Sequence, residues 1–208
     1  MLKLTTKRIV KAIFLLLALP FVFLVLLLNV FGSSDSGFTS ISQLLSLVPG
    51  KPGVYLRAGF YKISCPNTSD NISIGFLTIF SHMDTTVELG VYIGPQCNIG
   101  KCHIRANTLV GSGVHILSGN KQHSFDDPTM PIQAQGGAYS KISIGSDCWL
   151  GNGSIILASI ADRTIVAAGA VVTKPIIETM GIYAGNPARR IKERSPNTES
   201  AVQERNLG

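Results

Sequence analysis

The residue best suited to chemistry is His123, in the stretch GNKQHSFDDP with Asp126 and Asp127 close behind it. An imidazole can take a proton from a hydroxyl near neutral pH, and a positioned one contributes typically about 10² to 10⁴-fold to a rate. A lone loop histidine is more often just solvated; this one stands in a large break of an otherwise regular repeat, where a rigid scaffold can hold a functional loop. Further on, Lys174, Arg189, Arg190, Lys192 and Arg194 offer positive charge suited to phosphate groups, or else form the solvated face of a C-terminal helix. His82, His103 and His115 complete the histidines, and their spacings do not give the paired pattern that a three-histidine zinc hydratase needs, so no metal is expected. His115, between two inward residues, should point outward. None of Cys65, Cys97, Cys102 and Cys148 falls in the loop. Neither a cysteine nucleophile nor a disulfide framework is indicated.

These groups must be positioned by the repeat itself. Aliphatic residues recur at Ile144, Leu150 and Ile156, then at Ile160, Val166 and Val172, with Gly145, Gly151, Ala161 and Ala167 directly behind four of them. Cys148, Ser154, Thr164 and Ala170 sit four places on, so only small groups fill those slots. The same rule governs Ile93, Ile99, Ile104, Val110 and Ile116, with Cys97, Thr108 and Val114 in the matching small slots. A period of six fits neither a helix nor simple strand alternation. It fits short strands coiling through tight corners with aliphatic side chains stacked inward, and at roughly eighteen residues per turn residues 72 to 174 supply about four to five turns. The 21 glycines suit such corners. Between Gly119 and Ser140 the rule lapses and the chain is polar and turn-rich.

The four basic residues Lys3, Lys7, Arg8 and Lys11 precede an apolar run from Ala12 to Leu28, leaving 14 basic against 12 acidic residues in the rest of the chain. No basic stripe interleaved with aromatics is present, which argues against nucleic acid as a partner. Seventeen to twenty helical residues reach about 26 to 30 Å, close to the thickness of a bilayer core, so residues 9 to 31 are expected to engage a membrane. A cleaved signal, with Val30-Phe31-Gly32 at the cut, is the lesser reading, because the run is long for a signal core. Spanning would place the domain outside the cytoplasm by the charge rule. A re-entrant break at Pro20 would keep both ends on one side. Residues 33 to 37 read as a linker. Ile41, Leu44, Leu45 and Val48 behind Ser40 read as a short amphipathic helix stopped by Pro49-Gly50, either a membrane foot or a cap on the solenoid's open end. Residues 54 to 82 look like irregular first strands. The expected organisation is a membrane segment (1–32), a linker, amphipathic helix and first strands (33–71), the solenoid (72–194) with its loop (119–141), and a polar tail (195–208).

The hexads, the loop GNKQHSFDDP, the segment IGSDCWLGNGSII, the run AAGAVVTK and the tail segment GNPARRIK together resemble the hexapeptide-repeat acyltransferases, particularly the galactoside, maltose and polysaccharide O-acetyltransferase branch, over roughly residues 72 to 194. The resemblance implies an all-β, left-handed parallel β-helix with a short C-terminal helix, assembled as a homotrimer with active sites between subunits. It implies acetyl-CoA as co-substrate and His123 as general base on a saccharide hydroxyl, without an acyl-enzyme. Contacts to acetyl-CoA carry over to Asn152, Ala168, Thr173, Lys174, Arg189 and Lys192, with Trp149 packing beside the groove. Members of the family often have a further histidine or asparagine in or before the loop. Here Lys121 and Gln122 precede His123, and no obvious asparagine lies a coil earlier. The implied setting is a bacterial inner membrane with the catalytic domain in the cytoplasm, where acetyl-CoA is made. An amino-sugar N-acetyltransferase and a non-catalytic membrane-anchored scaffold remain open as alternatives.

Overall fold

The structure, a computed structural model, describes residues 2–30 and 34–194. The polar tail and part of the possible cleavage site lie outside the described residues. Three helices precede the repeat: α1 (Leu2–Val30), α2 (Ser34–Ser46) and α3 (Gly50–Ser64). The repeat then folds into a parallel β-helix with three faces. The first face stacks Ser73–Ile74, Tyr92–Ile93, Leu109–Val110, Trp149–Leu150, Ile165–Val166 and Gly181–Ala184 in parallel, closed by the antiparallel Arg189–Glu193. The second stacks Ile79–Phe80, Asn98–Ile99, His115–Ile116, Ile155–Ile156 and Val171–Val172, and the third Thr86–Val87, Cys102–Ile104 and Ile142–Ile144.

Register explains the sequence period. Ile93, Val110, Leu150 and Val166 lie directly above one another on the first face, and Ile99, Ile116, Ile156 and Val172 on the second. All eight are buried. Each such side chain stabilises the fold by about 1.5 to 3 kcal/mol through removal from water. The small slots lie at the corners for steric reasons: a Cβ on Gly151 would meet the backbone of Ala167 and Ala168 in the next coil. The Cys97 and Cys148 side chains fill such slots, and all four cysteines are free and buried. Burial pushes the Cys148 thiol up to about 11 and the Cys102 thiol up to about 12, so neither is a nucleophile near neutral pH.

Four expectations are corrected. Of residues 54 to 82, expected as first strands, 54–64 belong instead to α3, because Gly53 and Gly59 let this helix pack closely and tertiary contact overrides the strand propensity of its Val, Tyr and Phe residues. The expected linker is already helical from Ser34, and Ser40 lies inside α2, its hydroxyl bonded to the Ser36 carbonyl. α1 continues through Pro20 without reversing. Arg189–Glu193 is a strand paired to Gly181–Ala184, not a helix.

α2 and α3 close the open end of the solenoid, as the capping alternative requires. The Phe80 amide donates to Ser42 Oγ at 2.8 Å, the Thr39 hydroxyl to the Ser81 carbonyl at 3.1 Å, and the Met83 amide to Asp35 Oδ1 at 2.8 Å. Arg57 of α3 is fully buried and donates to the carbonyls of Ile74, Leu45 and Val48. Leu45 lies in the last turn of α2 and Val48 two residues beyond its end, where the helix dipole favours a cation.

Candidate active site

The second face builds the site. Because Ile99 and Ile116 point inward, the preceding Asn98 and His115 point out, and their register puts one above the other with Asn98 Nδ2 3.2 Å from His115 Nδ1. Asn98 thus stands one coil below His115, a placement that the sequence did not make obvious. A groove of about 370 Å³ runs beside this pair, lined also by Ser81, His82, Gln122 and Tyr139. Ser81 Oγ lies 2.9 Å from His82 Nδ1, and the His82 and Tyr139 rings are 5.3 Å apart.

The loop leaves the coil at the upper edge of this groove. Gly119, at φ +83°, starts it, and the Ser140 amide donates back to the Ser118 carbonyl where it returns. Its stem is two-stranded: the Ala138 amide donates to the Lys121 carbonyl and the Ser124 amide to the Gly136 carbonyl. Gly137 is required there, because any Cβ would collide with the Gln122 carbonyl. Lys141, the last residue of the loop, holds Asp84 at 2.7 Å and fixes the return. His123 follows Gln122 on the stem and is exposed. Asp127 has a local task, accepting from the Thr129 amide and hydroxyl; these bonds, the hydroxyl's foremost, hold its carboxyl below the usual range. Asp126 is exposed.

The other residues expected at the site fall on two edges of the second face. Asn152 and Ala168 stack at the corner between the first and second faces, where the Gly169 amide donates to the Asn152 carbonyl and the Ser112 amide to Asn152 Oδ1. Arg189 reaches the same corner, since the Val171 amide donates to Gly185 and the Ala188 amide back to Val171. Trp149 stands beside it on the first face, half exposed, in an outward column with Tyr92 and Leu109. Thr173 and Lys174 lie at the opposite edge: the Leu157 amide donates to Val172, immediately before them. Lys192 pairs with Ile182, away from Arg189. Arg190 and Arg194 are committed to Glu178 at 3.2 Å and Asp147 at 3.0 Å.

The histidines are dispersed. His103 faces Glu88 at 2.7 Å on the third face, remote from the Asn98 and His115 pair in register, and no cluster of three metal-ligating side chains occurs among the described residues. Sequence reasoning did not bring Asn98, His82, Gln122 and Tyr139 together beside one groove. The signal for Asn98 was available, because it and His115 each directly precede an inward isoleucine of successive coils.

No family profile matches the chain. A probable macrolide acetyltransferase of Lysinibacillus sphaericus is 30% identical over 119 residues, covering 50% of this chain and 63% of that protein. The chain thus spans less than two thirds of that relative's length. Among solved structures, a maltose O-acetyltransferase from Clostridium difficile 630 superposes with a TM-score of 0.68 at 20% identity, over 78% of this chain and 87% of that one. A galactoside acetyltransferase in complex with coenzyme A gives 0.58 at 20% identity, over 78% and 82%.

Proposed function

We propose that this chain, which belongs with the hexapeptide-repeat acyltransferases in sequence and fold, transfers an acetyl group from acetyl-CoA to a saccharide hydroxyl at the groove beneath the His123 loop. The observation that carries this is the conjunction on one face: a polar pair, Asn98 and His115, in a groove at the root of a loop bearing a histidine, flanked by two corners of small and basic residues. The coenzyme A complex of the galactoside enzyme, which shares the fold, supports the donor.

His123 takes the proton of the acceptor hydroxyl as its oxygen attacks the thioester carbon. The carbon to sulfur bond then breaks, and the departing CoA sulfur receives the proton from the imidazolium. The acetyl group passes directly, with no acyl-enzyme. Asn98 and His115 orient the acceptor, while Asn152 and Ala168 line the corridor for the pantetheine arm beside Trp149. Thr173 and Lys174 meet the donor from the opposite edge, while Arg189 at the Asn152 corner and Lys192 further along its strand supply more positive charge for its phosphates. A left-handed coil and a homotrimer complete the reading. The outward column of Tyr92, Leu109 and Trp149 and the exposed Phe125 and Ile132 of the loop supply apolar surface for neighbouring subunits. α1 associates with the inner membrane of a bacterium, with the domain on the cytoplasmic side. Its substrate is then a surface glycan or its lipid-linked precursor.

The test is release of CoA thiol from acetyl-CoA with a panel of neutral saccharides, amino sugars and a macrolide. Turnover with a neutral saccharide is expected. Turnover only with amino sugars would move the reading to N-acetylation. Turnover only with the macrolide would move the acceptor to the class in the relative's name.

A further inference from the structure

α1 is long and apolar enough to cross a membrane, with a mean hydropathy of 2.9 over its most apolar window. Its packing does not suit a crossing. Val10, Lys11, Phe14, Leu15, Ala18, Phe21, Val22, Val25 and Asn29 are the more buried residues and recur at helical spacing, so a single stripe faces the domain. That stripe is engaged from end to end. Lys7 and Lys11 Nζ reach Asn71 Oδ1 at 3.3 and 3.2 Å, and Phe14 stacks on Tyr55 with ring centroids 5.6 Å apart. At the far end Asn29 Nδ2 contacts Met83 Sδ at 3.9 Å.

From residue 7 to residue 29 the helix rises roughly 33 Å, about the thickness of the hydrocarbon core. If it stood across a bilayer while docked in this way, α2, α3 and the first coil would be carried to hydrocarbon depth. The exposed Lys51, Lys62 and Asp70 would go with them, and charged groups there are costly. The opposite face of α1 exposes Ile9, Ile13, Leu16, Phe23 and Leu27 in one apolar strip. A cavity of about 490 Å³ at the helix's N-terminal half is lined by Lys7, Arg8, Lys11, Tyr55, Asp70 and Asn71. Asp70, 3.5 Å from Lys11 Nζ, is the one carboxylate in this lining, set against three cations.

We propose that α1 lies flat in the headgroup region of an anionic bilayer, its outer strip dipping into the acyl chains and its basic end meeting lipid phosphates, so that the N-terminus and the β-helix share one side of the membrane. The proposal rests on the membrane association stated above and gives it a geometry. It removes the conflict between an apolar segment long enough to span and a donor made in the cytoplasm. It also sets the His82 end of the groove near the lipid surface, because α2, packed on α1, bonds to Ser81.

Single cysteines introduced by Thr5→Cys and Ile177→Cys test it in sealed vesicles of both orientations with a membrane-impermeant maleimide. The native cysteines are buried, so the introduced ones report. Both should label in the same vesicle orientation, and an environment-sensitive dye at Leu16→Cys or Leu27→Cys should be quenched equally by shallow nitroxide lipids. Labelling in opposite orientations overturns the flat geometry while leaving membrane association standing. A chain that fails to float with vesicles of phosphatidylglycerol and phosphatidylcholine overturns membrane association itself. Equal binding to phosphatidylcholine alone overturns the anionic assignment. None of these outcomes depends on acetyl transfer.

Discussion

A base on an exposed loop can act only if the scaffold limits where the acceptor oxygen sits, so the weight falls on the residues around His123 as much as on the imidazole. His123→Ala is expected to lower kcat by about 10² to 10⁴-fold while leaving acetyl-CoA affinity in place, the signature of a lost proton acceptor. Asn98→Ala should raise the KM for the acceptor more than it lowers kcat, and steady-state kinetics with a fixed donor would separate the two. Lys174→Ala should raise the KM for acetyl-CoA but not for a donor lacking the nucleotide phosphates; an equal rise for both would remove the phosphate role. The loop that carries His123 was legible in the sequence because it interrupts a repeat. Asn98 was not, since its partnership with His115 exists only once two coils are laid in register. The two-edge arrangement of Asn152 and Ala168 against Thr173 and Lys174 likewise depends on how many corners separate them, which motif order alone does not say.

The hexad elements were legible for a physical reason: the inward positions from Ile93 to Val172 are aliphatic and most corners small, so the pattern survives without any partner. The helical cap was not. GVYLRAGFYKI has the Val, Tyr and Phe of a strand, and it is helical because α1, α2 and the first coil surround it; a Cβ at Gly59 would lie 2.9 Å from the Phe14 carbonyl oxygen. Arg57 is the centre of that cap. Arg57→Met should destabilise the fold by roughly 3 kcal/mol, because three carbonyls lose a buried donor, and urea unfolding would measure it. The loop's return makes a second, pH-dependent case. The Lys141 ammonium, then that of Lys101, holds the Asp84 carboxyl below its ordinary value. Its contribution to stability is therefore present above the ordinary carboxylate pKa and lost as pH falls through the depressed one. Asp84→Asn should flatten the acid limb of a melting-temperature profile and leave the neutral region nearly unchanged. The effect is small, as Asp84 is half exposed.

At the scale of the whole molecule, the described chain is a solenoid closed at one end by helices, with the loop that carries His123 thrown out from the middle and apolar surface left on two sides. On the proposed reading, the loop and the first face meet neighbouring subunits and the outer face of α1 meets lipid. Sedimentation in a mild detergent should give a protein mass three times the 22.2 kDa of the chain; a monomer would leave Phe125 and Trp149 without cover and sink the trimer. That a helix long and apolar enough to cross a membrane stood at the N-terminal end was legible from composition, but its docking on the domain was not, because the stripe that docks is largely apolar like the face that does not. The central claim, that the two corners and the loop form an acetyl-CoA site, is tested most directly by calorimetric titration of the detergent-solubilised protein with acetyl-CoA, beside His123→Ala. Saturable one-site binding of similar affinity by both is predicted. Absence of binding by the unaltered protein would contradict the account and leave a membrane-bound solenoid without this chemistry.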